Sequence, residues 1–172
     1  FNISTQSAFY YFNSATINGV AVEPDDWVGA FNGDVCVGAR LWDTTGFCSD
    51  NQFTDEPSCT ATDETWTWNQ CGGGVCEVMV MGFDSWNSEE TADYCIMGDI
   101  PTFKIYDASE NTYYDAVASA EFPWTNFGFN MVDNLNAYSS VSGCTNPGAC
   151  NYNSNATDDD GSCIFETDCN GE

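Results

Sequence analysis

Between residues 7 and 136, apolar and polar positions alternate in short runs broken by Asn-Gly, Pro-Asp and Ser-Glu-Asn turns, the pattern of β-strands rather than helices. It is clearest from Trp27 to Trp42. Asn32-Gly33 at the middle of this stretch predicts a type I′ hairpin, because both residues accept positive φ. That turn sets Ala30 opposite Val35 and Val28 opposite Val37, which with Ala39 and Leu41 form one apolar face. Trp27, Gly29, Phe31, Cys36, Gly38 and Trp42 form the other, with Trp27 opposite Gly38, where an indole covers bare backbone. A hairpin apolar on both faces is covered on both, which places it at the centre of a sandwich. Two covers are available for the Trp/Gly/Cys36 face: the 43–74 stretch of the same chain, or a strand from a second copy.

The remaining runs fit the same class. Ser7 to Phe12 is a buried-strand run, and Asn18-Gly19 predicts a second tight hairpin with Ile17 facing Val20. Val75 to Phe83 is a strand with Val78 and Val80 on one face and Met79 and Met81 on the other. Thr102 to Asp107 and Thr112 to Ala116 make a third hairpin, and Asn126 to Leu135 supplies the last strand or two. No segment has a helical period. The predicted fold is all-β, an antiparallel β-sandwich of jelly-roll or immunoglobulin-like type over residues 1–138. Residues 43–74 form a disulfide-bearing insertion, 139–143 a linker, and 144–172 a small disulfide-stapled, metal-binding tail.

Charge narrows the partners. The chain of 172 residues has 27 acidic side chains, two basic ones (Arg40 and Lys104) and no histidine, for a net charge of −25. Nucleic acid is excluded, because it is bound by clustered Lys and Arg. Anionic membrane surfaces are disfavoured for the same reason, and no apolar run is long enough to span a bilayer. Ten cysteines without a CxxC pair or histidine point to disulfides in a secreted protein rather than zinc. Cys48–Cys59 and Cys71–Cys76 would close local loops, Cys36–Cys95 is what remains in the main domain, and Cys144, Cys150, Cys163 and Cys169 pair among themselves. The chain begins at Phe1 without Met and is read as a mature or truncated product.

From Cys144 the composition changes: aliphatic side chains almost vanish, and burial cannot hold the segment. Asn151, Asn153 and Asn155 alternate and Asp158, Asp159, Asp160 and Gly161 follow, a set of hard oxygen donors suited to Ca²⁺. Sequons stand at Asn2 and Asn155. A glycan on Asn155 would shrink the metal set toward Asn151, Asn153, Asp159 and Asp160. The run Cys144-Thr145, Pro147, Ala149-Cys150-Asn151-Tyr152-Asn153, then Ala156-Thr157, Asp159-Asp160-Gly161-Ser162-Cys163, resembles a short cysteine-rich repeat of large secreted and surface proteins of environmental bacteria. It is loosely similar to thrombospondin type 3 calcium repeats. Asp168 to Glu172 resembles the start of a following repeat, which implies a chain that continues. The stretches Ile17 to Ala39 and Gly98 to Asp107 resemble a module found beside those repeats, and protomers of pilus-like extracellular glycoprotein fibrils. No catalytic residues follow from that resemblance.

Catalysis is not expected. Without histidine there is no Ser-His-Asp triad or Cys-His dyad, and with 27 acids some carboxylate pair arises in any fold. The expected function is a structural protomer of an extracellular, glycosylated fibril, assembled head-to-tail when a terminal strand such as Phe1 to Thr5 completes a neighbour's sheet edge. The alternative is a carbohydrate-binding or adhesin module in which Trp66 and Trp68, with Trp86 and Trp124, stack on sugar rings.

Overall fold

The computed structural model describes residues 1–165. β1 (Ser7–Ile17) buries Ala8, Tyr10 and Phe12 and leaves Phe9 and Tyr11 half-buried on the opposite side, the alternation of a strand with one face on a core. Asn18 and Gly19, at φ 53° and 79°, turn it into β2 (Val20–Ala21) with Ile17 opposite Val20, as the sequence predicts. β3 (Trp27–Asn32) and β4 (Val35–Leu41) form the central hairpin. In the inserted stretch, β5 (Gly46–Cys48) pairs with β6 (Trp66–Trp68) around a five-residue helix, α1 (Glu56–Thr60). No helix was expected there. Asp55 caps it by accepting from the Ser58 N–H, and Pro57 sits in its first turn. β7 (Cys76–Met81), β8 (Thr102–Asp107), β9 (Thr112–Ala118) and β10 (Phe129–Ala137) complete the main unit, which runs from Phe1 to Tyr138.

These strands form one curled eight-stranded sheet in the order β2-β1-β10-β9-β8-β3-β4, with β7 added to β1 over Ser7 to Phe12. The curl closes over a core of Tyr10, Phe12, Val28, Val37, Val80, Phe103, Ile105 and Leu135. Not every neighbour is antiparallel: β1 and β10 run parallel, Phe9 beside Phe129 through Ile17 beside Ala137. The cause is the segment before β10. Phe127 donates its N–H to the Ser7 carbonyl and Phe9 donates to the Gly128 carbonyl, which aligns the two strand starts.

The central hairpin departs from its predicted register. Its turn is Gly33-Asp34, with Asn32 paired to Val35 and Phe31 to Cys36, and a bulge at Val37 then shifts the ladder. Ala30 therefore faces Gly38, Gly29 faces Ala39, and Trp27 faces Leu41 rather than Gly38. Val28, Ala30 and Val37 are buried as expected, but Ala39 moves to the outer face and Trp42 enters the core, its ring 6.4 Å from that of Phe12. Met81 also turns into the core, leaving Met79 exposed. Gly38 is where β4 crosses β7: a β-carbon there would lie 2.1 Å from the Met79 carbonyl oxygen.

Disulfides join Cys48 to Cys59 and Cys71 to Cys76, the two local loops expected from spacing. Cys36 and Cys95 do not pair, contrary to expectation. Elimination took no account of the sheet between them: Cys36 lies on its outer face and Cys95 is fully buried within the core. Burial, followed by the Asp99 charge, pushes the Cys95 thiol up to about 12. Alkylation of the native protein should therefore label Cys36 and spare Cys95, and labelling in denaturant should reach both. Peptide mapping checks this, and native labelling of Cys95 would contradict the core placement.

The second unit starts at Ser139. In it β11 (Ser142–Gly143) pairs in parallel with β12 (Asp158–Asp159), and a disulfide joins Cys144 to Cys163. Cys150 is also disulfide-bonded. Cys169 and the predicted start of a following repeat lie outside the described residues.

Candidate functional site

Two surfaces of the main unit stay apolar outside the core. The first is the outer side of β4, β3, β8 and β9. Because side chains alternate, Trp27, Gly29 and Phe31 of β3, Lys104 and Tyr106 of β8, and Tyr113 and Asp115 of β9 share this side. The bulge adds Cys36 and Ala39. Most of these side chains line an open trough of about 710 Å³, to which the 43–74 insertion contributes no residue. The insertion is therefore not the cover of the Trp/Gly/Cys36 face.

Rows of residues across the strands give the trough its order. Trp27 pairs with Tyr106, which pairs with Tyr113. The two tyrosine rings lie 4.7 Å apart, tilted by 44°. The Tyr106 hydroxyl donates to Asn111 Oδ1 at 2.7 Å, holding that ring. The next row is Gly29, Lys104 and Asp115, and here the Lys104 ammonium donates to Asp115 Oδ1 at 2.6 Å. Phe31 follows, with the ammonium 5.7 Å from its ring centroid and its ring edge resting over Gly29. Lys104 is one of only two basic residues in the chain. The other, Arg40, is bound to Glu77 at 3.2 Å and to the Gln70 carbonyl.

The second surface is the outer side of β7, β1 and β10. Met79, Phe9 and Phe129 lie in one cross-strand row, and Tyr11 and Met131 in the next. Phe129 stacks on Phe9 at 5.4 Å and on Tyr11 at 6.3 Å, yet Phe129 and Met131 remain 71% and 62% exposed. β9 accompanies β10 only over Leu135 to Ala137. Among the described residues, Phe129 to Asp133 therefore has β1 on one side and no strand on the other. That is an open sheet edge bordered by large apolar side chains.

The other sequence-proposed residues fall elsewhere. Trp66 and Trp68 do share a side of β6, but their rings meet edge to face at 76° and do not form one flat platform. Trp124 is core, its indole N–H donating to the Val80 carbonyl at 3.0 Å, whereas Trp86 is 94% exposed. Asn2 and Asn155 are exposed. The segment Phe1 to Thr5 forms no strand. The Asn2 N–H donates to the Tyr94 hydroxyl, Ser4 Oγ donates to the Gly82 carbonyl, and Thr5 donates to Asp84 through both N–H and hydroxyl. The Thr5 hydroxyl, with the Trp86 and Thr5 N–H groups, holds the Asp84 carboxyl below its ordinary range.

In the tail, the oxygens proposed for calcium serve the chain's own turns. Asn151 spans two backbone groups, donating to the Ser162 carbonyl and accepting from the Ile164 N–H. Asn153, Asp159 and Asp160 accept from the backbone N–H groups of Asn155, Gly161 and Ser162. Asp158 lies on β12. Among the described residues no three His, Cys, Asp or Glu side chains gather into a metal-holding group.

Comparisons with protein-family profiles, curated proteins and solved structures give no match for this chain. No helix is long and apolar enough to cross a membrane, among the described residues.

Proposed function

We propose that this chain is a non-enzymatic structural protomer of an extracellular, pilus-like and glycosylated fibril, built head-to-tail by addition of a segment from the next copy. The observation carrying this reading is the unaccompanied β10 edge from Phe129 to Asp133 beside the exposed Phe129 and Met131 side chains. An open edge supplies backbone hydrogen bonds to an incoming strand, and the apolar row supplies burial at about 25 cal/mol per Å². An edge that accepts a segment from elsewhere on the molecule makes a contact that propagates without closing. Disulfides in both units favour an oxidising, extracellular setting. The sandwich architecture and the resemblance to fibril protomers belong to the same proposal. The Phe1–Thr5 segment is the donor expected from sequence. Its side-chain hydrogen bonds to Tyr94, Gly82 and Asp84 would be exchanged for a strand ladder, and glycans on the exposed Asn2 or Asn155 would decorate the fibre.

A charge of −25 opposes self-association until it is screened. Fibres are therefore expected in added salt or calcium, visible by electron microscopy and sedimentation. The double variant F129D/M131D should keep its circular dichroism spectrum and lose the fibres. A wild-type chain that stays monodisperse in screening salt would refute the proposal. So would a double variant that assembles as well as wild type.

A further inference from the structure

The geometry points to the trough over Gly29 as a binding site for a single chain of a neutral, β-linked polysaccharide. Trp27, Tyr106 and Tyr113 stand in one row across three neighbouring strands. Strands lie ~4.8 Å apart, so the row spans about 10 Å, roughly two pyranose rings end to end. The C–H face of an equatorially substituted pyranose is apolar and weakly positive, and an aromatic face is weakly negative, so stacking is favourable in both burial and electrostatics. Beside the row, the Lys104–Asp115 pair offers an ammonium donor and a carboxylate acceptor within 2.6 Å of each other, the spacing that neighbouring sugar hydroxyls can bridge. The edge of the Phe31 ring covers Gly29 and closes one end of the trough beside the aromatic row.

Charge selects the class of occupant. A polyanion is repelled by a chain of net charge −25 whose one cation in the trough is already held by Asp115. A second copy of the chain carries the same repulsion until salt screens it, so at low ionic strength it does not compete for the trough. A neutral polymer carries none and matches the mixed aromatic and hydroxyl-binding lining. The Tyr106 and Tyr113 rings are tilted by 44° to each other, so the row is not flat. It suits a single twisted chain in solution better than the flat face of a crystalline glycan. The site is distinct from the β10 edge, so this inference does not rest on the fibril reading.

Affinity electrophoresis of the F129D/M131D protein tests it apart from assembly. Gels would contain hydroxyethylcellulose, mixed-linkage β-glucan or xylan, with alginate as the anionic control. At least one neutral polymer should retard the protein and alginate should not. Trp27→Ala and Tyr113→Ala, both at exposed positions, should each weaken binding at least about tenfold. Trp86→Ala, outside the trough, should leave binding unchanged. Binding to soluble polymer should exceed binding to microcrystalline cellulose. No retardation by any neutral polymer overturns the inference, as does equal retardation by alginate or an equal loss in Trp86→Ala. If Trp27→Ala in the otherwise wild-type chain abolishes fibres while sugar binding is unaffected, the occupant is a second copy and the inference fails.

Discussion

Replacing Gly38 with Ala should unfold the main unit at a distinctly lower temperature or denaturant concentration than wild type. The added methyl group would sit 2.1 Å from the Met79 carbonyl oxygen and 3.4 Å from the Val80 α-carbon. Both are backbone atoms of β7, and no side-chain rotation relieves the overlap. β7 in turn is hydrogen-bonded to β1 over six residue pairs, so moving it disturbs the longest strand in the sheet. Forcing extra volume into a packed site typically costs about 1–3 kcal/mol, and a backbone clash belongs at the top of that range. Gly29→Ala is the control. Its β-carbon meets the edge of the Phe31 ring, a side chain at the open trough that can swing aside, so the loss should be smaller. Equal midpoints for wild type and Gly38→Ala would mean that β4 and β7 do not cross at this distance.

The paired substitution Cys144→Ser, Cys163→Ser should leave the main unit intact and release the second one. That segment has few buried apolar side chains among the described residues, with Cys144 and Ala149 the only ones in the core class. Its regular structure is a two-residue parallel bridge and a set of Asx turns. The Cys144–Cys163 link closes a loop of 19 residues, and constraining such a loop contributes about 3 kcal/mol in the chain-entropy account. Burial cannot replace that contribution here. Limited proteolysis should cut the variant rapidly beyond Ser139, while the thermal transition of residues 1–138 stays where it was. Unchanged cleavage would show that the turns and the remaining disulfide hold the unit alone.

How much of this was legible depends on sequence distance. Ile17 opposite Val20 follows from Asn18-Gly19, because two residues with positive φ leave one way to close the turn. The Asp107–Thr112 closure of the third hairpin is similarly local. The central hairpin shows the limit of such reasoning. Asn32-Gly33 is a good type I′ pair, yet the chain turns one residue later and inserts Val37 as a bulge. The structure makes the reason visible: the shift leaves Phe31 and Cys36 outside, sends Val37 inward, and brings a glycine rather than a side chain to the crossing with Met79. That crossing lies 41 positions away in the chain, and no local pattern encodes it.

The trough was half legible. Trp27, Gly29, Phe31 and Cys36 form one face by period-two counting alone. Tyr106, Lys104 and Tyr113 were missed, although alternation with Phe103, Ile105 and Tyr114 places them opposite the core. What was lacking was the pairing of β3 with β8, which joins residues about 75 positions apart in the chain. The sugar-stacking expectation for Trp66 and Trp68 failed on ring orientation, which alternation does not specify.

By itself, then, the sequence determined the all-β class, the positions of most strands, two of the tight turns and the two short disulfide loops, because each rests on side-chain alternation or on closure over a few residues. It also determined the strongly acidic character that governs any partner. The tertiary structure alone decided the parallel pairing of β1 with β10, the open β10 edge, the separation of Cys36 from Cys95 by a sheet, and the gathering of three aromatic residues into one row. Period two assigns a face to each residue of a strand but does not say which strand lies beside it. That choice is made by how the sheet curls to bury Tyr10, Phe12 and Ile105 together.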